Sequence, residues 1–344
     1  MKKMIQKIRK SLVWKTLSEE WKVWVVILLL LILTWFFSDK LATWLTNSTF
    51  IKTLDSLSKL GILVAVIAFL RQISKWKKRV KDEKDQRIFE YWKTVDSANS
   101  ARESSRYGRF TSHALRIALE NLAKEKDKRG RPRWISNIDV SRAVLEGINL
   151  EDAFMSVVGF RYCNLSKANF SRAVLNNAYF QRARIFGADF SHAKFKGQIL
   201  FMEVLYDNET KFPTGFDPIK EGAYKIVPKV DLFKANLSDG MLWEAQLSEA
   251  DLREADLQRA VIVTGDLSRT KLQNANLKNA KMADANLELA NLQNSNLEET
   301  ALYRANVSGA DFRGVRNMTV EQIKVALNWE QAKYDDDFRQ QLGL

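Results

Sequence analysis

The sequence predicts a two-part molecule. An N-terminal α-helical transmembrane hairpin and stalk is followed by a β-solenoid that ends in a C-terminal capping helix. Three observations carry this. Two apolar runs near the start lie between flanks rich in lysine and arginine. A strict five-residue rhythm of large apolar side chains fills most of the remainder. The first proline of the chain, Pro132, stands where the helical pattern stops and that rhythm is about to begin.

Charge supports the division. Residues 1–136 hold 29 Lys/Arg against 13 Asp/Glu, whereas the rest of the chain holds 25 against 28. Such asymmetry calls for an anionic partner on the first part only. A basic flank beside an apolar span is already explained by lipid headgroups, so nucleic acid is not expected. The single cysteine, Cys163, excludes an internal disulfide framework. Two histidines, His113 and His192, leave little for a metal site, and no cofactor is expected.

The elements follow in order. Residues 1–20 place Met4, Ile5, Ile8 and Leu12 on one helical face among Lys2, Lys3 and Lys7. That pattern suits a helix on anionic lipid, or a solvated basic tail. The run Val23–Phe37, extended to about 22–45, approaches the roughly 20 residues needed to cross a bilayer. A second run, about 54–74, has a dry core of only eleven residues, Leu60–Leu70. Taken alone it is marginal, and a buried core helix is the competing reading. Arg71, Lys75, Lys77, Lys78 and Arg79 follow it, while the connection Ser38–Lys52 is nearly neutral. Basic outer flanks predict a hairpin with both termini cytoplasmic, hence a multi-pass integral membrane protein in a plasma or thylakoid membrane. Residues 77–131 read as a helical stalk carrying the stripe Ile88, Phe89, Trp92 and Val95. A shorter capping helix follows, burying Leu115, Leu119 and Leu122.

The rhythm itself defines the fold. From Leu232 to Phe312, seventeen consecutive positions spaced by five are large and apolar, with alanine most often two residues before each. Two residues apart and both inward is an extended segment. The three residues that then pass demand a corner. Extended sides with corners of one hand close into a coil, and coils stack backbone to backbone. Asp or Asn between the inward pair faces out and can bond its own backbone. An earlier block, 137–200, keeps the rhythm from Leu145 to Leu200, with Cys163 at a small inward position. Residues 201–229 break the register. They read as a loop-out, a break between coils or a plug over apolar edges. In the tail, 316–344, Thr319 and Gln322 form a capping box for a helix burying Val320, Ile323 and Leu327.

These residues resemble the pentapeptide-repeat family, with consensus A-[DN]-L-x-x, over blocks 137–200 and 230–315, and more narrowly its membrane-anchored cyanobacterial members. The resemblance implies a right-handed quadrilateral β-helix with four pentads per coil. Some members mimic DNA with a strongly acidic rod. Here residues 137–200 carry eight basic against five acidic side chains, and 230–315 carry nine against thirteen, so that activity is not expected.

No motif for phosphate cradling, metal hydrolysis or nucleophilic catalysis is present, and no enzyme is expected. With twenty residues per coil, Trp243, Val263 and Tyr303 share one outward column and Met241, Val261 and Ala301 its neighbour. Contiguous outward apolar residues mark a docking strip for a protein partner or a second copy, or a face covered by this chain itself. The function expected is therefore a membrane-tethered, cytoplasm-facing scaffold. The alternative is an accessory subunit of a membrane transport or photosynthetic complex, touching its partner through the hairpin.

Overall fold

The computed structural model describes residues 49–104, 110–111, 113–127 and 130–344. The chain divides into two units, residues 1–84 and 85–344. The expected N-terminal helix and the first expected span lie outside the described residues.

Helix α1 runs from Thr49 to Ser104 without a break, over a stretch with no proline and a single glycine, Gly61. The second expected span is therefore not a membrane helix in its own right; it is the first part of this longer element. Among the described residues no helix is long and apolar enough to cross a membrane, which overturns the multi-pass integral-membrane reading. The physical reason is length. The eleven dry residues Leu60–Leu70 rise roughly 16 Å at 1.5 Å each, about half of a hydrocarbon layer. Lys59 and Arg71 close the run at both ends.

Within the second unit, Ile88 and Val95 join the core, with Tyr91 and Trp92 packed against it. Phe89, expected in the same stripe, lies one residue off the buried face and is 67% exposed. Helix α2, His113–Lys124, buries Leu115, Ala118, Leu119 and Leu122. Its polar side closes the first coil's open edge. Arg116 donates to the carbonyls of Glu146 (3.0 Å) and Gly147 (2.9 Å), and Glu120 accepts the Asn149 N–H (3.0 Å).

The coils are built as the spacing requires. Strands β2 (Trp134–Asp139), β4 (Phe154–Gly159), β5 (Val174–Tyr179) and β6 (Lys194–Leu200) form one parallel sheet, side by side in chain order. Short β3 (Ala143–Val144) pairs with β1 (Phe110–Thr111), and β7 (Leu205–Tyr206) pairs with β8 (Tyr224–Lys225). In the second stack single bridges link Asp231, Asp251, Lys271, Asn291, Asp311 and Lys333, five successive coil-to-coil steps of 20 or 22 residues. The inward pair is fully enclosed: Ala250, Leu252, Ala255 and Leu257 are all at most 1% exposed.

The regular corners of the second stack share one construction. Ala235 N–H bonds the Leu232 carbonyl (3.0 Å), and Lys234 between them is left-handed (φ 59°). This is the hydrogen-bonded β-turn with φ > 0 at its third residue. The same position is left-handed at Thr264 (φ 55°) and Leu289 (φ 58°). Non-glycine residues are held there by the ladders on both sides, because isolated residues seldom adopt this conformation. The outward Asp/Asn does two jobs. Asp251 accepts the N–H of Arg253 (3.2 Å), fixing the entry to the turn. Asparagine amides also donate along the stack, Asn276 to Asp256 (3.0 Å), Asn296 to Asn276 (3.2 Å) and Asn317 to Asn296 (3.0 Å).

Two cores result, one from Ile88 to Ala223 and one from Leu205 to Leu342. The first is aromatic: Phe170 and Phe190 stack at 4.8 Å and Phe160 and Phe180 at 5.1 Å. It ends in a register shift. Ala178 pairs with Ile199 instead of residue 198, so one coil takes 21 residues. The inward place expected for Leu200 falls to Phe201, which is 1% exposed. Gly197 (φ 59°) sits at this bulge, where a Cβ would lie 2.4 Å from Asn177 Oδ1. Phe212 and Phe216 from the insertion then cover the end, with Phe216 edge-on to Phe201 at 5.1 Å.

At the far end, helix α3, Val320–Lys324, has the full capping box of Thr319 and Gln322. Gln322 also reaches back to the carbonyls of Leu297 (3.0 Å) and Thr300 (3.2 Å). Ile323 and Ala326 are buried, but Leu327 is 49% exposed. It bridges to Asn306 and so occupies an outward Asp/Asn place of the next rung. Tyr334 stacks on Phe312 at 5.7 Å, and the last helix, α4 (Asp336–Leu342), buries Leu342.

Candidate functional site

The outward strip exists as a backbone column. Met241 bridges Val261, Val261 bridges Lys281, and Lys281 bridges Ala301. Beside it the carbonyls of Val263, Ala283 and Tyr303 accept N–H bonds from Glu244, Thr264 and Asp284 (2.9–3.0 Å). The two ends of the strip differ. Met241 is 3% exposed, whereas Tyr303 is 60% exposed. Trp243, Val261 and Val263 are half-buried and Ala301 is exposed. The exposed end continues onto the terminal segment through Val325 (48%) and Leu327 (49%), because the Arg304 N–H bonds the Val325 carbonyl (2.9 Å).

The covered end is occupied by this chain. Arg184 Nη1 donates to the carbonyls of Met241 (3.2 Å) and Trp243 (2.5 Å). Its guanidinium lies between the rings of Phe186 (4.0 Å) and Trp243 (4.4 Å), and its Nε bonds Ser166 Oγ (3.1 Å). One coil further on, the equivalent carbonyls of Val261 and Val263 receive the backbone N–H groups of Leu242 and Glu244. A side-chain fork thus does for the first coil of the second stack what backbone does for the next. Arg184 is buried, with 5% exposure. It stands in the column Val144, Asn164, Arg184, Leu205, an outward place that Asp or Asn fills in many pentads. Lys194, Lys271 and Lys281 hold equivalent places, so spacing alone does not single Arg184 out.

The same junction carries an ionic seam. Arg182 pairs with Glu203 and reaches Ser238 (3.5 Å) and Asp239 (4.0 Å). Asp239 is gripped by Arg259 (2.8 Å); this hydrogen bond, partly opposed by burial, holds the carboxyl below its usual range. Asn236 Nδ2 bonds Glu203 (3.0 Å). A cleft of about 570 Å³ opens beside Arg184, lined by Lys167, Phe186, Asp207, Lys211, Trp243 and Glu244 among others.

The remaining candidates fall elsewhere. Arg71, Lys75, Lys77, Lys78 and Arg79 are all exposed on α1. Lys2, Lys3 and Lys7 lie outside the described residues. Cys163 is buried and its Sγ donates to the Val140 carbonyl (3.0 Å), while His192 is exposed. Among the described residues no group of three His, Cys, Asp or Glu side chains is placed to hold a metal ion.

The profile of the pentapeptide-repeat family, described as pentapeptide repeats, matches residues 139–175, 163–197, 231–262, 266–298 and 280–316. Across these segments the chain carries pentapeptide repeats, wound as a β-solenoid with 20 residues per regular coil. No curated protein matches it. Among solved structures it is similar to HetL, a pentapeptide repeat protein involved in heterocyst differentiation regulation from the cyanobacterium Nostoc sp. strain PCC 7120. The identity is 23%, over 56% of this chain and 86% of that one, with a TM-score of 0.23. It is similar to full-length QnrB1, a plasmid-mediated fluoroquinolone resistance protein, at 15% identity over 61% and 85% of the two chains, TM-score 0.20. A pentapeptide repeat protein of the Arabidopsis thaliana thylakoid lumen is 21% identical over 50% of this chain and 74% of that one, TM-score 0.15.

Proposed function

We propose that this chain is a non-catalytic scaffold that docks a protein partner on the outer face of its second stack, at the strip's exposed end. The observation that carries this is Tyr303. Its ring is 60% exposed on a column whose backbone is bonded on both sides, beside Ala301, Val325 and Leu327. A rigid, exposed aromatic with apolar neighbours is the usual anchor of a protein interface. Solenoids of this kind are generally non-catalytic, and here the axis is filled by alanine, leucine and phenylalanine, which leaves no interior room for a substrate.

The two aromatic residues of the strip separate docking from folding. Tyr303→Ser should release the proteins that co-purify with the wild-type chain while leaving the melting temperature within a degree or two. Trp243→Ser should lower the melting temperature by removing one wall around Arg184. Full retention of those proteins by Tyr303→Ser would remove the strip as the docking surface.

A further inference from the structure

We infer that α1 carries a second interaction surface, for an anionic lipid surface on which the helix lies without passing through it. The inference rests on the helix face and its charges, independently of the Tyr303 patch. Phe69, Ile73, Trp76 and Val80 are spaced four, three and four apart, so they fall within one narrow stripe of a 3.6-residue helix. Phe69, Trp76 and Val80 are 44%, 41% and 43% exposed, and Leu70 beside them is 58% exposed. Among the described residues nothing covers these apolar groups, and such a stripe on a helix calls for an occupant.

The flanks say which. From residue 68 to 84 the helix carries Arg71, Lys75, Lys77, Lys78, Arg79, Lys81 and Lys84 against only Asp82 and Glu83. Lys77 and Lys84 border the stripe on one side and Arg79 on the other. A second copy packed on this stripe would bring like charges together at the flanking positions, which opposes a coiled coil. The stretch of this chain that precedes α1 has eight Lys/Arg against three Asp/Glu in residues 1–48, so it offers no complementary charge either. An anionic bilayer satisfies both halves of the pattern. Aromatic and aliphatic groups enter the headgroup boundary, and the long basic side chains reach sideways to phosphate. Such a helix needs no spanning length.

The test uses the full chain and vesicles of phosphatidylcholine with and without phosphatidylserine, read by co-sedimentation. Wild-type protein should bind the phosphatidylserine vesicles and be released by high salt. The double variant Lys77→Glu/Arg79→Glu should lose roughly tenfold or more of that binding, and Phe69→Ser/Trp76→Ser a comparable factor. All four side chains are on the helix surface, so circular dichroism of both variants should match wild type. Equal binding to phosphatidylcholine alone, or undiminished binding by both variants, would overturn the inference and assign lipid affinity to other residues. A concentration-dependent dimer that Phe69→Ser/Trp76→Ser dissolves would overturn it in favour of a second copy.

Discussion

Replacing Arg184 by alanine should uncouple the two stacks. The side chain makes hydrogen bonds to the Met241 and Trp243 carbonyls and to Ser166, and it is stacked between two rings. Hydrogen bonds from a charged donor contribute about 1.5–3 kcal/mol each, and each desolvated cation–π contact about 1–2. Because burying the guanidinium is itself costly, the net loss should be well below their sum, about 3–5 kcal/mol. For a unit of this size that is roughly 6–15 °C in melting temperature. Solenoid stability is local and held by neighbouring interfaces, so the weakened joint should do more than lower one midpoint. Wild-type protein should melt in one transition followed by circular dichroism in the strand region. Arg184→Ala should melt in two, with limited proteolysis cutting first between Ile226 and Val230. Arg184→Lys keeps the charge but loses the fork, and it should fall between. A single transition within 2 °C of wild type for Arg184→Ala would refute the assignment of this side chain as the joint.

Two further expectations concern the stacks themselves. Ser295 stands at an inward small place where most pentads have alanine; it is 0% exposed and its hydroxyl has no hydrogen-bond partner. Ser295→Ala should therefore raise stability by about 1 kcal/mol, measured by chemical denaturation. On the outer face Asp251 and Asp311 are held below the ordinary aspartate value of 3.8, chiefly by hydrogen bonds from Arg253 and Arg313. Asp239 is held down in the same way by Arg259. Carboxyls with depressed values contribute stability that is complete above the ordinary value and lost as pH falls through the folded one. The melting temperature should thus be flat from neutrality to about pH 5 and decline below pH 3.8, and Asp311→Asn should shrink that decline.

The coil was legible because its cause is local. A spacing of five is incompatible with helix or plain strand, and Ala250–Leu252 is enclosed as the spacing demands. The outward Asp/Asn was legible for one of its roles, the bond to its own chain, but not for the asparagine ladders, since these join residues twenty apart. The places where the rhythm fails were hard to read. A single extra residue near Gly197 moves the inward place from Leu200 to Phe201, and nothing short of the pairing reveals it. Leu327 was expected inside because the tail was read as one helix; α3 stops at Lys324 and the chain resumes the rung pattern, which turns Leu327 outward. The membrane reading failed on another ground. Hydropathy and flanking charge mark an apolar run, but they do not say whether it ends as a span or continues as one helix, as α1 does through Ser104. In the strip, spacing placed Trp243 and Tyr303 in one column, while the partner that covers Trp243 came from residue 184.

The forks at Arg116, Arg184 and Gln322 have a consequence for solubility. A pile of parallel rungs is a template that any extended chain can prolong, and the danger sits at its terminal rungs. Here Arg116 and Arg184 meet carbonyls on the first coil of each stack, and Gln322 ties the terminal segment onto the Leu297 and Thr300 carbonyls, so that side chains stand where another strand would approach. The molecule therefore carries its own stoppers against end-to-end fibre growth, and substitutions at those three side chains are where filament formation would begin.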